Sequence, residues 1–361
     1  MKPRVLVTTA NGRTGRVAVD ELVRAGYPVR AFVTRDDARA ARLREDGAEV
    51  FVGSLYDWRD LRDALKDVQR AYVCPPFDAR HLHGTMMFAL AAEEAKLEVI
   101  ALMSGWNPHP THPSVLQREH WLANNLYRRL QVDVVHINPG MFAFPYLLGL
   151  PAIVHLGLLA LPFGDGLNAP PSNEDIGAVA ASVLMDPARF IGRCLRPTGP
   201  ELISGDDAAR VLGEVVGRKV RYQDVSTAMF IKAARALRFA PFQIAQVRHY
   251  AAELRAGVYA DVTDHVQQAC GRPAESFAST AQRYITNPDL IIPGLSAGTF
   301  LGALGFGLRM LVARSDGLDA WEAQRGYPLI SQGLLAHENP DWVDAASRRE
   351  LVLQPMTAAE T

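Results

Sequence analysis

The chain of 361 residues is poor in cysteine: Cys74, Cys194 and Cys270 are the only three. So few and so scattered, they exclude a disulfide framework and a thiolate zinc site. An excess of charge of one sign is lacking as well, since 38 lysines and arginines face 39 aspartates and glutamates. That balance removes the electrostatic reason to expect nucleic acid as a partner. Metal-ligand spacing is missing, and no metal is expected. His81 and His83, and His109 and His112, have no carboxylate or cysteine at ligand intervals. Ser104-Gly105 has no glycine two residues before the serine, so a nucleophile elbow is excluded. Internal repeats and low-complexity tracts are absent. Met1-Lys2-Pro3-Arg4 runs straight into an apolar strand, with no signal peptide, and a cytoplasmic protein is expected.

What is present begins at once. Val5-Leu6-Val7 reads as a buried strand, and Thr8 to Gly15 as a polar turn with glycines at positions 12 and 15. Val17, Val19, Leu22 and Val23 then follow at roughly helical spacing. Strand, glycine turn and helix form the phosphate-binding entry of a dinucleotide fold, where backbone N–H groups and the positive end of the helix dipole converge on a pyrophosphate. Gly12 lets the backbone approach the phosphates and Gly15 lets the helix pack closely on the sheet. Thr9 stands where the first glycine of the usual three belongs; an ordinary βα turn is the plainer alternative.

Further βα units follow in order. Strands are expected at Val29–Val33, Ala48–Val52, Arg70–Cys74 and Val99–Met103, separated by helices at Ala38–Asp46, Trp58–Lys66 and Leu82–Lys96. Five such units in about 105 residues predict an α/β fold with a doubly wound parallel sheet and ligands at the carboxyl ends of its strands. Those ends carry the first turn, Arg35, Ser54, Pro75-Pro76 and Ser104. At the tip of the second strand an acidic residue suits the ribose 2′-hydroxyl of NAD, whereas arginine suits the 2′-phosphate of NADP. Arg35 favours NADPH over NADH, with Arg13 as a second cation; the alternative is two solvated surface arginines, and Asp36 and Asp37 blunt the signal.

Residues 9–15 (Thr-Ala-Asn-Gly-Arg-Thr-Gly), followed by Val33-Thr34-Arg35, Gly47-Ala48-Glu49-Val50 and Gly53-Ser54-Leu55, resemble the NmrA-like branch of the atypical short-chain dehydrogenases/reductases. Further matches are residues 117–122 (Gln-Arg-Glu-His-Trp-Leu), 138–142 (Asn-Pro-Gly-Met-Phe), Ala169-Pro170-Pro171, 174–177 (Glu-Asp-Ile-Gly) and 217–222 (Gly-Arg-Lys-Val-Arg-Tyr). The likeness covers residues 4 to 285 and, more faintly, Tyr327-Pro328 to Trp342. It implies an NAD(P)-binding Rossmann domain over 1–142 with returning segments from 165–225. It also implies a smaller, mainly helical substrate-pocket and C-terminal region over 143–361. Candidate cofactor contacts are Thr9, Asn11, Gly12, Arg13, Thr14, Gly15, Arg35, Ser54, Leu55, Pro75, Pro76, Ser104 and Pro139; candidate pocket residues are His109, His112, Phe142 and Phe144.

Short-chain dehydrogenases pair a tyrosine with a lysine four residues on. The tyrosine protonates the developing alkoxide, and the lysine lowers its pKa and holds the nicotinamide ribose. Aligned on Asn138-Pro139-Gly140, those positions fall here on Leu116 and His120, and the residue four after Tyr127 is Gln131. The family's chemistry therefore does not carry over intact. His120, with an ordinary pKa of about 6.5, is the substitute proton donor, unless it packs its ring beside Trp121. His109 and His112 line the site or belong to a polar loop.

The C-terminal half is apolar and punctuated. Phe144–Phe163, broken by Pro145, Pro151 and Pro162, is expected to pack over the cofactor site rather than form one helix. A strand is expected around Cys194, and helices at Asp206–Val216 (capped by Ser204 or an Asp of the turn, stopped by Gly217), Ala228–Leu237, Gln243–Ala256 and Asp261–Ala269. Leu290–Leu308 has no charged residue and five glycines. It covers the pocket mouth, contacts a second subunit in a homodimer, touches a membrane surface as a peripheral contact, or spans the bilayer; the protein is expected to be soluble. The favoured function is an NADPH-dependent reductase of a small, largely apolar carbonyl, quinone-like or aromatic natural-product substrate. The alternative is a non-catalytic NADP(H) redox sensor that regulates a protein partner. The missing tyrosine–lysine pair favours the sensor, and the apolar C-terminal region favours a substrate pocket.

Overall fold

A computed structural model of the chain describes residues 2–287, 290, 298, 300–315 and 317–325. The first half alternates strand and helix: β1 (Val5–Val7), α1 (Arg13–Arg24), β2 (Val29–Val33), α2 (Ala38–Glu45), β3 (Glu49–Val52), α3 (Trp58–Ala64), β4 (Arg70–Val73), α4 (His81–Glu94), β5 (Val99–Met103), α5 (Val115–Tyr127) and β6 (Asp133–Ile137). These strands and β8 (Cys194–Leu195) form a seven-stranded sheet ordered β3-β2-β1-β4-β5-β6-β8, with every pair parallel. The expected doubly wound sheet is thus present. Successive strand residues point to opposite faces, and the two apolar clusters follow that alternation. Val5, Val7, Ala31, Val33, Val99 and Ala101 pack under α1, α2 and α7 (Asn173–Met185). Leu6, Phe32, Ile100 and Leu102 pack on the opposite face under α3, α4 and Tyr127 of α5.

A second core lies beyond β6. Between Phe144 and Phe163 the prolines divide the chain into a short 3₁₀ turn (Phe144–Leu147), α6 (Leu150–Leu156) and β7 (Leu158–Leu161). β7 pairs in parallel with β9 (Arg221–Asp224), a two-stranded sheet that the polar sequence of β9 does not announce. Between them, α8 (Gly205–Val216) begins at Ser204, whose hydroxyl accepts from the Asp207 N–H, and ends at Gly217 in the left-handed conformation (φ 69°). Both boundaries follow the capping signals of the sequence. Arg218 then donates to the Val154 and His155 carbonyls at the end of α6. Within the expected returning stretch, α7 and β8 join the large sheet, whereas α8 and β9 join the second core.

The remaining helices are α9 (Thr227–Ala236), α10 (Pro241–Arg255), α11 (His265–Cys270), α12 (Phe277–Thr286), α13 (Phe300–Val312) and α14 (Leu318–Gln324). α11 starts later than the expected Asp261, because Thr263 is held in the gap beside β8: its N–H donates to Thr198 Oγ1 at 2.9 Å. Of Leu290–Leu308, only Leu290, Gly298 and Phe300–Leu308 are described; the last of these lie in α13, which packs on α6 and α9. Tyr327-Pro328 to Trp342 lies outside the described residues. Among the described residues no helix is long and apolar enough to cross a membrane.

Candidate active site

The carboxyl ends of the large sheet converge at the point where the strand order reverses, between β1 and β4. In open α/β sheets that crevice is the ligand site. β1 runs into the turn, whose geometry is set by Thr9. Its φ is +47°, a left-handed conformation that the missing glycine would have adopted freely. Thr9 is held there by its own bonds: its carbonyl accepts from the Gly12 N–H at 2.7 Å and its hydroxyl donates to the Cys74 carbonyl just past β4. A Cβ on Gly15 would sit 2.4 Å from the Thr9 carbonyl oxygen, so only glycine lets α1 begin this close to the turn. α1 starts from Gly12 with no side-chain cap and no acidic residue in its first turn. Its first N–H groups can receive an anion.

The predicted contacts divide between those that face the crevice and those committed inward. The Thr14 hydroxyl accepts from Tyr72 Oη at 3.0 Å and sits 3.9 Å from Cys74 Sγ, so only its backbone is available to a ligand. The Asn11 side chain is half-buried at the turn. The Arg13 guanidinium lies over the Phe144 ring, 4.3 Å from the centroid, and burial lowers its pKa. Phe144 in turn packs edge-on against Phe142, with centroids 5.9 Å apart. Arg35 is exposed at the tip of β2, and neither neighbouring carboxylate engages it. Asp36 pairs with Arg44 at 2.7 Å, while Asp37 pairs with Arg39 and caps α2. The blunting expected from these aspartates is therefore removed by their own partners. Ser54 is fixed by its N–H to Asp60 Oδ2 (2.8 Å), at a turn tied to β2 through the Gly53 N–H. The Leu55 side chain is buried in the core beneath α3 and α4, where an apolar branched chain gains most, so only its backbone is available to a ligand. Pro75 and Pro76 are half-buried at the end of β4, and Pro139 is buried at the end of β6.

The turn after β5 meets α5 closely. Ser104 Oγ donates to Asn124 Oδ1 at 2.9 Å, and its N–H donates to the Ile137 carbonyl. A Cβ on Gly105 would lie 2.2 Å from Gln117 Oε1 and 3.1 Å from His120 Cδ2, so the glycine admits the His120 ring against the turn. The other side of that ring meets His81, a residue the linear sequence offered only as a poor metal ligand. The two imidazoles stack edge-on, with centroids 4.5 Å apart. His81 also bonds the Pro76 carbonyl, which joins the end of β4 to His120. Leu116, one turn before His120 on α5, is buried with Val115 and Phe242.

The electrostatics correct the expected role of His120. Burial, and then the neighbouring His81, push its pKa well below 6.5, so the ring is neutral at physiological pH and is not a titrating acid. Burial also lowers His81 to about 4 and His136 to about 3. Glu119, beside His120 on α5, is raised by burial to about 7 while it accepts from the Leu82 N–H. These shifts fix a stability profile. Below pH 6.5 the unfolded chain protonates histidines that the folded chain keeps neutral, so stability falls as pH drops. His81 and His136 should each cost about 2 kcal/mol at pH 5 relative to pH 7, and His120 acts in the same direction. Glu119 works in the opposite direction between pH 7 and its unfolded value near 4.5, and returns about 2 kcal/mol. Urea unfolding at the two pH values should show a net loss of about 2 kcal/mol from His81, His136 and Glu119, deepened by His120; equal midpoints would contradict the buried, neutral histidines.

His109 and His112 lie inside the protein rather than on a pocket wall. His112 Nδ1 accepts from the Ser114 N–H at 2.9 Å, which leaves the proton on Nε2, 2.8 Å from Glu253 Oε1. Tyr259 donates to the other Glu253 oxygen at 3.0 Å, and Ser114 donates to Gln246 at 2.7 Å. The loop from Ser104 to Ser114 is thus fastened to α10 by a fully buried polar network. His109 stacks on His112, with centroids 5.0 Å apart. Among the described residues no group of three histidines, cysteines or carboxylates could hold a metal ion.

The crevice-forming N-terminal segment carries a family likeness. Residues 1–123 match the model of the NmrA-like family. This segment is NmrA-like. An NAD(P)H azoreductase from Xenophilus azovorans is 28% identical over 283 residues, which are 78% of this chain and 97% of that protein. Among solved structures, an NADPH-dependent quinone oxidoreductase from Escherichia coli complexed with NADPH superposes with a TM-score of 0.69 at 22% identity, over 77% of this chain and 99% of its own. NmrA itself, a negative transcriptional regulator solved with NADP, superposes with a TM-score of 0.67 at 15% identity, over 82% and 99%. At these identities the two structures share the NmrA-like fold with this chain, which leaves its chemistry to be derived from its own residues.

Proposed function

We propose that the chain is an NADPH-dependent reductase of a small, largely apolar carbonyl, quinone-like or aromatic substrate. The observation that carries this is Arg35, exposed at the tip of β2 with both neighbouring aspartates paired elsewhere, beside a helix N-terminus that no side chain caps. A dinucleotide fits these residues: the α1 N–H groups suit a pyrophosphate, and the guanidinium suits a 2′-phosphate. The azoreductase likeness, which extends over nearly that protein's whole length, supports reduction as the reaction class. When bound, the nicotinamide supplies a hydride from C4.

The chain's own residues then bind, orient and exclude water. Ser104, tied to Asn124, and the His120 ring close the nicotinamide end. Phe142 and Phe144 offer apolar ring faces to a planar substrate. His120, being neutral, serves as a hydrogen-bond donor that polarises the acceptor atom, and the proton comes from water. Such a site works mainly by orientation and desolvation. A second assignment, a non-catalytic NADP(H) sensor, is supported by the buried Leu116 and the neutral His120, the residues that alignment on Asn138-Pro139-Gly140 sets against the tyrosine and lysine.

The cofactor assignment has a direct test. Charge-assisted bonds from Arg35 to a 2′-phosphate contribute roughly 1.5–3 kcal/mol, so NADPH should bind about tenfold or more tightly than NADH. Calorimetric titration should show that preference in the wild type and its loss in Arg35→Ala, with NADH affinity little changed. Equal affinities in the wild type would refute the assignment.

A further inference from the structure

We propose that α13 is an interfacial helix that seats the protein on an anionic phospholipid surface. Leu301, Leu304, Leu308 and Leu311 recur at intervals of three and four and so lie along one face, extended by Phe300 and Val312 at the ends. All six are exposed, between 45% and 83%. Leu156 of α6 and Met229 of α9, the helices on which α13 packs, are exposed as well. A continuous apolar face of this size on water is the mark of a contact surface.

Charge selects the occupant. α6, α9 and α13 contain no aspartate or glutamate, in a chain whose acidic and basic residues otherwise balance. They carry Lys232, Arg235 and Arg309, and Arg238 and Arg314 stand just past the ends of α9 and α13. Arg235 donates to the Arg314 carbonyl at 2.7 Å, which gathers the cations of both helices at one end of the patch. Anionic lipid headgroups neutralise these cations, and leucine and phenylalanine enter the acyl boundary below them. Thirteen residues of helix extend only about 20 Å, against a hydrocarbon core of about 30 Å, so α13 lies in the interface and does not cross. The inference is independent of the reductase assignment.

The test is flotation of the full chain with vesicles of phosphatidylcholine alone or mixed with phosphatidylglycerol, at low and high salt. The protein should float with the anionic vesicles at low salt, and several-fold less at high salt or on phosphatidylcholine. Leu304→Glu with Leu308→Glu should reduce flotation to background without changing the melting temperature, because both side chains are exposed. Arg309→Ser and Arg314→Ser should each weaken vesicle affinity about fivefold. No flotation with either vesicle, or flotation indifferent to the glutamates, would overturn the proposal. So would a wild-type dimer that the two glutamates convert to a monomer, since that would assign the face to a second copy.

Discussion

His120→Ala should lower turnover per folded molecule by about 10²-fold or more, the usual worth of a positioned acid–base or polarising group, while NADPH affinity changes little. The ring lies between Gly105 at the end of β5 and His81 at the start of α4, so its position is fixed from two sides. Because burial keeps it neutral, it should add no ionisation to the pH–rate profile between pH 6 and 8. His120→Gln, which keeps an N–H donor, should recover a large part of the rate with an unchanged profile. If the residue only packs, His120→Ala will instead melt at a lower temperature and turn over normally once activity is normalised to folded protein. Near-wild-type turnover in that variant would remove His120 from the mechanism.

Gly15→Ala should be the most damaging single methyl in the crevice. The added Cβ would meet three backbone atoms: the Thr9 oxygen at 2.4 Å, the Thr9 carbonyl carbon at 3.0 Å and the Ala10 Cα at 3.1 Å. None can rotate away, so either the turn or α1 must move. Overpacking of this kind costs about 3 kcal/mol. Moving the α1 terminus misaligns the N–H groups proposed to hold the pyrophosphate, and NADPH affinity should fall at least about tenfold with it. Gly12→Ala is the graded control, because its Cβ has a single tight contact, 2.9 Å to the same oxygen. Urea midpoints and calorimetric affinities should both rank wild type above Gly12→Ala and Gly12→Ala above Gly15→Ala. A reversed order would contradict this account of the turn.

Local signals carried most of the fold. Apolar runs of four or five residues separated by amphipathic helices specify parallel strands with crossovers, and the large sheet is parallel throughout. Caps were legible for the same reason, since Ser204 and Gly217 act on neighbours within three or four residues. What escaped was non-local. β9, Arg221–Asp224, has no apolar alternation and becomes a strand only through pairing with β7, about sixty residues earlier. The His81–His120 contact joins residues 39 positions apart through the packing of α4 on α5, which no spacing rule encodes. Thr9 shows a third limit. Its left-handed backbone is unfavourable for threonine by itself, and the bond to Cys74, just past the adjacent strand, holds it. The titration of His120 was likewise misjudged, because residue type fixes a reference pKa and burial decides the actual one.

The claim on which the rest depends is that the crevice turns over NADPH rather than merely binding it. Steady-state oxidation of NADPH should therefore be followed with a panel of quinones, azo dyes and aldehydes, alongside calorimetric binding of NADPH to the same preparation. The account predicts turnover on at least one aromatic or quinone-like member, faster with NADPH than with NADH and reduced in His120→Ala. Tight NADPH binding with no oxidation on any member of the panel would contradict it and leave the protein a sensor of the cofactor.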